Sequence, residues 1–229
     1  DQAAFDRVKA QVLSGIESDT SDPQAIAGRR FAELTYGDHP YGRSLDGSKD
    51  TVTALTPADM EAARQAGLTR DRLFVGVVGD ISAEELGPLL DELFGALPAS
   101  GASLLEPVTP KTDGSLTVVP FETPQSVVMF GQDSIPRDHP DFLTAFVLNH
   151  ILGGGGFESR LTQEVRVKRG LTYGIGSYLS PARLGAIHRG YVSSANGRVA
   201  EAVEVLRAEW ANMSESGVTE EELDRANRY

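Results

Sequence analysis

The side chains of this sequence best suited to chemistry are those of Arg166 and Tyr173, seven residues apart on either side of Gly170. A guanidinium offers planar N–H donors for carbonyl or carboxylate oxygens, and a phenol adds one hydroxyl donor. The residues before Gly170 are typical of a short basic helix that ends there and runs into a strand. Such a corner can direct both side chains at one carbonyl oxygen or peptide backbone. The spacing also fits a purely structural pair, with the arginine on a polar helix face and the tyrosine packed in a sheet.

A run of four glycines lies between this corner and an apolar helix predicted over 142–152; its members are Gly153, Gly154, Gly155 and Gly156. A phosphate-binding loop is one interpretation, but the Gly-Lys-Ser/Thr ending is absent and the run follows a helix instead of a strand. A second interpretation is a helix end with close backbone approach. A third is a flexible hinge at the rim of a cleft that admits an extended peptide.

The remaining pattern predicts an α+β fold. Strands are expected over 116–121, 126–131, 171–179 and 186–194, and a helical apolar stripe begins at Val199. Upstream, helices are expected from residues 5, 23, 56 and 83, with only one strand, 73–78. Runs of strands and of helices indicate an antiparallel or mixed sheet with helices packed on one face. Too few strands accompany the first helices, so we expect the first of two related domains to be truncated.

Residues 98–114 are rich in Pro, Gly, Ser and Thr and show no periodicity, which is typical of a linker. We therefore predict that 1–97 form the C-terminal part of a first α+β domain. Residues 115–229 form a second one, which carries the Arg/Tyr pair and is itself truncated at its C-terminal end.

Composition excludes several functions. The net charge of −12 disfavours nucleic-acid binding, which needs a basic face. No apolar run approaches the roughly 18 residues of a membrane span. The absence of cysteine removes disulfides and thiolate catalysis, and it favours a periplasmic or extracytoplasmic location, with the cytoplasm as the alternative. The start at Asp1 is typical of a cut chain, so the lack of a signal peptide says little.

The sequence offers no metal or nucleophile motif of its own. None of its four histidines belongs to an H-E-x-x-H or H-x-x-E-H pattern, and we expect them in loops or at the surface. No Gly-x-Ser-x-Gly occurs. Clustered acids at 84–85 and 220–222 lie at helix starts, where they complement the helix dipole, and are expected to be solvated.

Several stretches occur together in one order: Tyr36–Gly42, Thr56–Met60, Val77–Asp80, Phe130–Gln132, His139–Asp141, Leu148–Gly156, Ser159–Leu161, Arg166, Arg169–Leu171, Tyr173–Gly174 and Gly217–Leu223. In this order the chain resembles the pitrilysin/insulinase-type zinc peptidases, especially their mitochondrial-processing-peptidase-like branch. The resemblance covers almost the whole chain. It implies related α+β domains that close like a clamshell around a peptide, with an H-x-x-E-H zinc motif and a distal Glu ligand in one half. It also implies an Arg/Tyr pair that holds substrate in the other half, which Arg166 and Tyr173 match.

The chain departs from the active members of that family at the distal ligand. Their Glu-Glu-Ile stretch, with a Pro seven residues on, corresponds here to Ser14-Gly15-Ile16 and Pro23. Neither Ser14 nor Gly15 can bind zinc as a carboxylate does, and Glu17 is turned away by about 100° per residue on a helix. The zinc motif itself would lie upstream of residue 1, so its absence does not distinguish a metal-free chain from a truncated one.

These residues support three hypotheses. In the first, the chain is a zinc-free subunit that clamps a peptide substrate for a metal-bearing peptidase subunit, as a heterodimer or through self-association, with zinc in the partner. In the second, it is a fragment of a chain that is itself an active zinc metallopeptidase. In the third, it is a structural or assembly subunit of the same fold.

Overall fold

The computed structural model describes residues 1–228, and Tyr229, the last residue of the predicted second domain, lies outside them. Two compact units are present. One comprises residues 1–16 and 46–105, and the other comprises 17–45 and the chain from 106 onward. The domain boundaries expected from composition stay a prediction.

The first unit is built from helices. They are α1 (Gln2–Asp19, of which residues 2–16 belong here), α3 (Lys49–Ala54), α4 (Pro57–Gly67) and α5 (Ala83–Phe94). Three of them begin with a side-chain cap, in which Ser48, Thr56 or Ser82 accepts from the third helical amide. Lys9 donates to the carbonyls of Thr53 and Leu55 at 2.7 and 2.8 Å, which ties α1 to the end of α3.

Two expected strands are absent. Residues 73–78 and 116–121 form no strand within the described chain, and Phe74 and Leu116 are 96% and 86% exposed. Their apolar, β-branched sequences suit a strand, but a strand persists only with a neighbour that completes its hydrogen bonds. No neighbouring strand pairs with either segment in residues 1–228.

The second unit contains a three-stranded antiparallel sheet. Strands β1 (Gln125–Asp133), β2 (Gly174–Ser180) and β3 (Ile187–Ala195) have the order β1-β3-β2, so β3 is central. Val192 pairs with Val128 on one side and Ile175 on the other, which places all three on one face. Helix α2 (Pro23–Tyr36) also belongs to this unit. Helices with a small antiparallel sheet confirm the α+β prediction.

The apolar core of the second unit lies on that face. It is covered by α6 (Phe142–Asn149), α7 (Val199–Ser216), α8 (Glu220–Ala226) and two π-helical segments, π1 (His150–Gly154) and π2 (Thr162–Val167). The buried core residues are Ile151, Leu152, Leu161, Val165, Leu171, Ile175, Val192, Ala202, Leu206 and Met213. Every helix within residues 1–228 is too short or too polar to cross a lipid bilayer.

Candidate functional site

The corner between π2 and β2 is fixed by side-chain hydrogen bonds between it and the neighbouring strand β3. Gly170 has φ +59°, a conformation that favours glycine, and there the chain leaves the helix. The buried hydroxyl of Ser194 on β3 donates to the carbonyl of Leu171 at 2.6 Å, and Thr172 donates to the carbonyl of Ser193. Two hydrogen bonds therefore connect the corner to the central strand, and they set where π2 ends and β2 begins.

This corner brings the two predicted functional side chains to one place. Arg166 and Tyr173 both line a cavity of about 320 Å³. Tyr173 is 86% exposed and Arg166 is half-buried. Neither the guanidinium nor the phenol forms a hydrogen bond or ion pair within residues 1–228, so their donors are available to a ligand.

The Arg166 guanidinium lies over an aromatic ring. Its guanidinium carbon lies 4.7 Å from the centroid of the Phe157 ring, within cation–π range. Phe157 follows Gly156, whose φ of +59° turns the chain, and Gln163 donates to the Phe157 carbonyl at 2.6 Å. A ring beneath the guanidinium orients it without using any of its N–H donors.

Arg166 also lies on a widened helical turn. In π2 the amide of Lys168 donates to the carbonyl of Gln163 at 2.9 Å, five residues back instead of four. Such π-helical turns are rare and occur often at functional sites.

The glycine run does not line this cavity. Gly153 is buried, and a Cβ at its position would lie 2.8 Å from the Ser177 amide nitrogen and 2.9 Å from Leu161 Cδ1. Only a residue without a side chain lets π1 approach β2 so closely. The helix-end interpretation with close backbone approach is therefore confirmed for Gly153.

The next two glycines close the end of π1 against its own preceding turn. The amide of Gly155 donates to the carbonyl of His150 at 2.7 Å, five residues back, and a Cβ at Gly155 would lie 2.7 Å from that same carbonyl oxygen. A Cβ at Gly154 would lie 2.7 Å from Asn149 Nδ2. The contacts of Gly154 and Gly155 are thus those of a helix end, whereas a role for the four-glycine run as a cleft rim stays a prediction.

A buried polar cluster lies beneath the contact between π1 and β2. The Oδ1 atom of Asn149 accepts from the Ser177 hydroxyl and from His188 Nε2, both at 2.8 Å. Burial lowers the pKa of His188 to about 4, so the imidazole is neutral at pH 7. The expectation that all histidines lie in loops or at the surface is wrong for His188, which is in β3, because strand pairing carries it inward opposite an amide acceptor.

One predicted solvated carboxylate is also an exception. Glu222 accepts two hydrogen bonds from Arg160, at 2.6 and 2.7 Å, and both side chains are largely shielded from solvent. The guanidinium holds the pKa of Glu222 at about 2. Arg160 also donates to the Gly217 carbonyl at 2.9 Å. It therefore connects the segment just before π2 to the start of α8. Sequence order alone could not pair residues this far apart.

The described residues do not supply a zinc site. No group of three or more His, Asp or Glu side chains in residues 1–228 is arranged to hold a metal. Ser14 and Gly15 are exposed on α1, and a Cβ at Gly15 would meet no atom within 4 Å.

Sequence reasoning missed part of the cavity. Arg198, at the start of α7, lines it as well, and nothing in its local sequence marked it. The full lining is Gln125, Arg166, Gly170, Leu171, Thr172, Tyr173, Ser193, Ser194, Ala195 and Arg198.

An α+β unit with an Arg/Tyr corner is the arrangement that the resemblance to the zinc peptidases implies. Residues 54–228 match the family model described as the peptidase M16 inactive domain, and the chain belongs to this family. The crystal structure of a peptidase M16 inactive domain from Pseudomonas fluorescens superposes with a TM-score of 0.89 at 30% identity. That match covers 100% of this chain and 55% of the other.

Curated proteins of similar sequence belong to the same group. An uncharacterized zinc protease of Mycobacterium leprae is 32% identical over 216 residues, covering 92% of this chain and 48% of the relative. A non-peptidase homolog of Helicobacter pylori is 24% identical over 230 residues, covering 100% of this chain and 53% of the relative. The chain thus spans about half the length of the curated relatives it matches. The predicted family resemblance is confirmed.

Proposed function

We propose that the chain is the zinc-free, substrate-clamping part of a zinc-dependent peptidase. The observation that carries the proposal is that Arg166 and Tyr173 line the same cavity. The N–H and O–H donors of both side chains form no hydrogen bond within the described chain. Together they hold one carbonyl of a peptide so that its neighbouring bond faces the catalytic centre of a metal-bearing partner.

The chain's own contribution is binding and orientation. The guanidinium, stacked on Phe157, donates to a carbonyl oxygen, and the Tyr173 hydroxyl donates to the same or the adjacent one. Because Tyr173 immediately precedes β2, an outer strand of the described sheet, an extended peptide can continue along that strand by β-addition. The described residues do not fit a zinc ion, so the metal and its activated water are assigned to the partner.

The test uses the natural full-length chain purified together with its metal-bearing partner. We expect Arg166→Ala and Tyr173→Phe each to lower kcat/KM for peptide cleavage by about 10²–10³-fold, the loss typical of one transition-state donor. Tyr178→Phe and Arg207→Ala are the matched controls, since Tyr178 and Arg207 lie outside the cavity. Unchanged cleavage by both site variants would show that the pair does not clamp substrate.

The partner is a metal-bearing peptidase subunit, in a heterodimer or through self-association. The relatives support a two-part arrangement, because each has about as much chain again outside the matched region. We also propose a periplasmic or other extracytoplasmic location, supported by the absence of cysteine. Fractionation of cells that express the full-length protein tests it, and recovery in the cytoplasm would contradict it.

A second candidate is that the metal-bearing half precedes these residues in the same natural chain. The names of the relatives favour it, since several are called zinc proteases and are about twice as long. An H-x-x-E-H motif upstream, with one zinc per natural chain by elemental analysis, would establish it. The Helicobacter relative's name, a non-peptidase homolog, favours the structural alternative, in which the natural assembly cleaves no peptide.

A further inference from the structure

Arg198 forms a second cationic wall of the cavity. It lies between β3 and α7, and its guanidinium rests against the outer side of the corner. Its Nη1 and Nη2 atoms are 3.5 and 3.4 Å from the carbonyls of Gly170 and Arg169, which are long hydrogen bonds. Its Nε forms no hydrogen bond within residues 1–228, so Arg198 retains a donor for a ligand.

The cavity is cationic although the chain is acidic. Two guanidinium groups, Arg166 and Arg198, line it, and no carboxylate of the described chain does, whereas the whole sequence carries a net charge of −12. Among residues 1–228, Glu201 is the one acidic partner of Arg198, at 3.1 Å. Both side chains of that pair are about half exposed, and exposed pairs of this kind are weak and exchange readily with solvent or ligand.

We infer that Arg198 makes this cavity selective for a peptide carboxylate beside the residue held by Arg166 and Tyr173. The inference rests on the proposed clamping function and adds the substrate class. A guanidinium pairs with a carboxylate in a planar, two-hydrogen-bond geometry. The carboxylate belongs either to an Asp or Glu side chain or to the C-terminus of the peptide, and the chemistry at Arg198 is the same for both.

The test measures binding of fluorescein-labelled peptides to the natural full-length protein by fluorescence anisotropy at low salt. The peptides form pairs of one sequence that carry either a central Glu or a central Gln, and each is made with a free and with an amidated C-terminus. We expect the carboxylate form to bind about 1.5–5-fold more tightly, as for one partly exposed charge pair. A preference in the Glu/Gln pair identifies the side chain, and a preference in the acid/amide pair identifies the terminus.

The variants assign the preference to one residue. Arg198→Gln should remove the preference, measured as the ratio of the affinities within each peptide pair. Glu201→Gln should increase the preference, because it removes the competing carboxylate. Arg207→Gln, farther along α7 and outside the cavity, is the control and should keep it. Retention of the full preference in Arg198→Gln would overturn the inference.

Failure of this inference is distinguishable from failure of the clamp. If wild type shows no preference while Arg166→Ala weakens binding of every peptide, Arg198 has no such role and the clamp stands. If Arg166→Ala and Tyr173→Phe change nothing, the clamp fails, and the assignment to Arg198 fails with it.

Discussion

Replacing Gly153 by alanine should destabilise the second unit by several kcal/mol, because the new methyl has no space. Its Cβ would lie 2.8 Å from the Ser177 amide nitrogen, 2.9 Å from Leu161 Cδ1 and closer still to the Ser177 hydroxyl. None of these neighbours is free to move. Leu161 is fully buried, and the Ser177 hydroxyl is hydrogen-bonded to Asn149.

The magnitude follows from what must shift. Overpacking a dense core by one methyl costs about 1–3 kcal/mol. Displacing the Ser177 hydroxyl from Asn149 Oδ1 leaves this buried donor without its acceptor, which costs about 1–3 kcal/mol more. The sum is about 2–6 kcal/mol, and at about 2–4 °C per kcal/mol for a chain of this size the melting temperature should fall by at least about 4 °C.

The assay is thermal and urea unfolding followed by circular dichroism, with Gly156→Ala as the matched control. A Cβ at Gly156 would meet no atom within 4 Å, so only its positive φ is penalised, by about 1–2 kcal/mol. In the double variant with Ser177→Ala the hydroxyl clash is gone. The double variant should therefore be more stable than the sum of the single effects predicts, by about 1 kcal/mol or more.

Two results would refute this reasoning. The melting temperature of Gly153→Ala could lie within about 1 °C of that of wild type, a much smaller decrease than the steric clash predicts. This result is expected if the glycine run is a flexible hinge with space around it. Alternatively, the effect of Gly153→Ala could add to that of Ser177→Ala without coupling, which would mean that the two residues do not meet in the folded chain.

Three further outcomes are expected. The pKa of His188, about 4 in the folded state against 6.5 unfolded, means that the unfolded chain takes up the proton first. The contribution of His188 to the free energy of unfolding is therefore full above pH 6.5, and stability should fall by about 1–3 kcal/mol between pH 6.5 and 4. Urea titrations at several pH values measure this dependence. His188→Gln should make it less steep, whereas the control His139→Gln should not. Glu222→Gln should lower the free energy of unfolding by about 1–3 kcal/mol at pH 7, because it leaves the largely shielded guanidinium of Arg160 without its carboxylate partner. The control Glu221→Gln changes an exposed side chain and should lower it by less than about 0.5 kcal/mol by the same method. Elemental analysis of the purified 229-residue chain should find no stoichiometric zinc, and tight zinc at one per chain would contradict the argument from Ser14 and Gly15.

Local patterns predicted the elements whose stability is local. The acids at 84–85 and 220–222 lie in the first turns of α5 and α8, and the apolar stripe that begins at Val199 lies in α7, as the sequence indicates. A helix end with close backbone approach is one of the three interpretations that the sequence allows for the glycine run, and the contacts of Gly153 with β2 favour it. In these elements the deciding contacts are a few residues apart, so periodicity and capping carry the information.

Features that depend on distant residues could not be predicted. Residues 73–78 have a strand sequence but no pairing neighbour in the described chain, and no local pattern reports the lack of a neighbour. The same holds for His188, whose burial depends on Asn149, and for Arg198, which joins the cavity only through the path of the chain from β3 to α7. Each is a consequence of tertiary packing overriding local preference.

The glycine run and the Arg/Tyr pair, which the sequence presents as separate signals, are connected physically through Phe157. Gly153 presses π1 onto β2, and the positive φ of Gly156 then turns the chain to present Phe157. The Phe157 ring supports the Arg166 guanidinium at 4.7 Å and leaves all of its N–H donors free of described partners. A guanidinium oriented by a hydrogen bond would have spent a donor on its own protein. Orientation by a ring keeps the full planar set for a carbonyl, which is the property a clamp for peptide backbone requires.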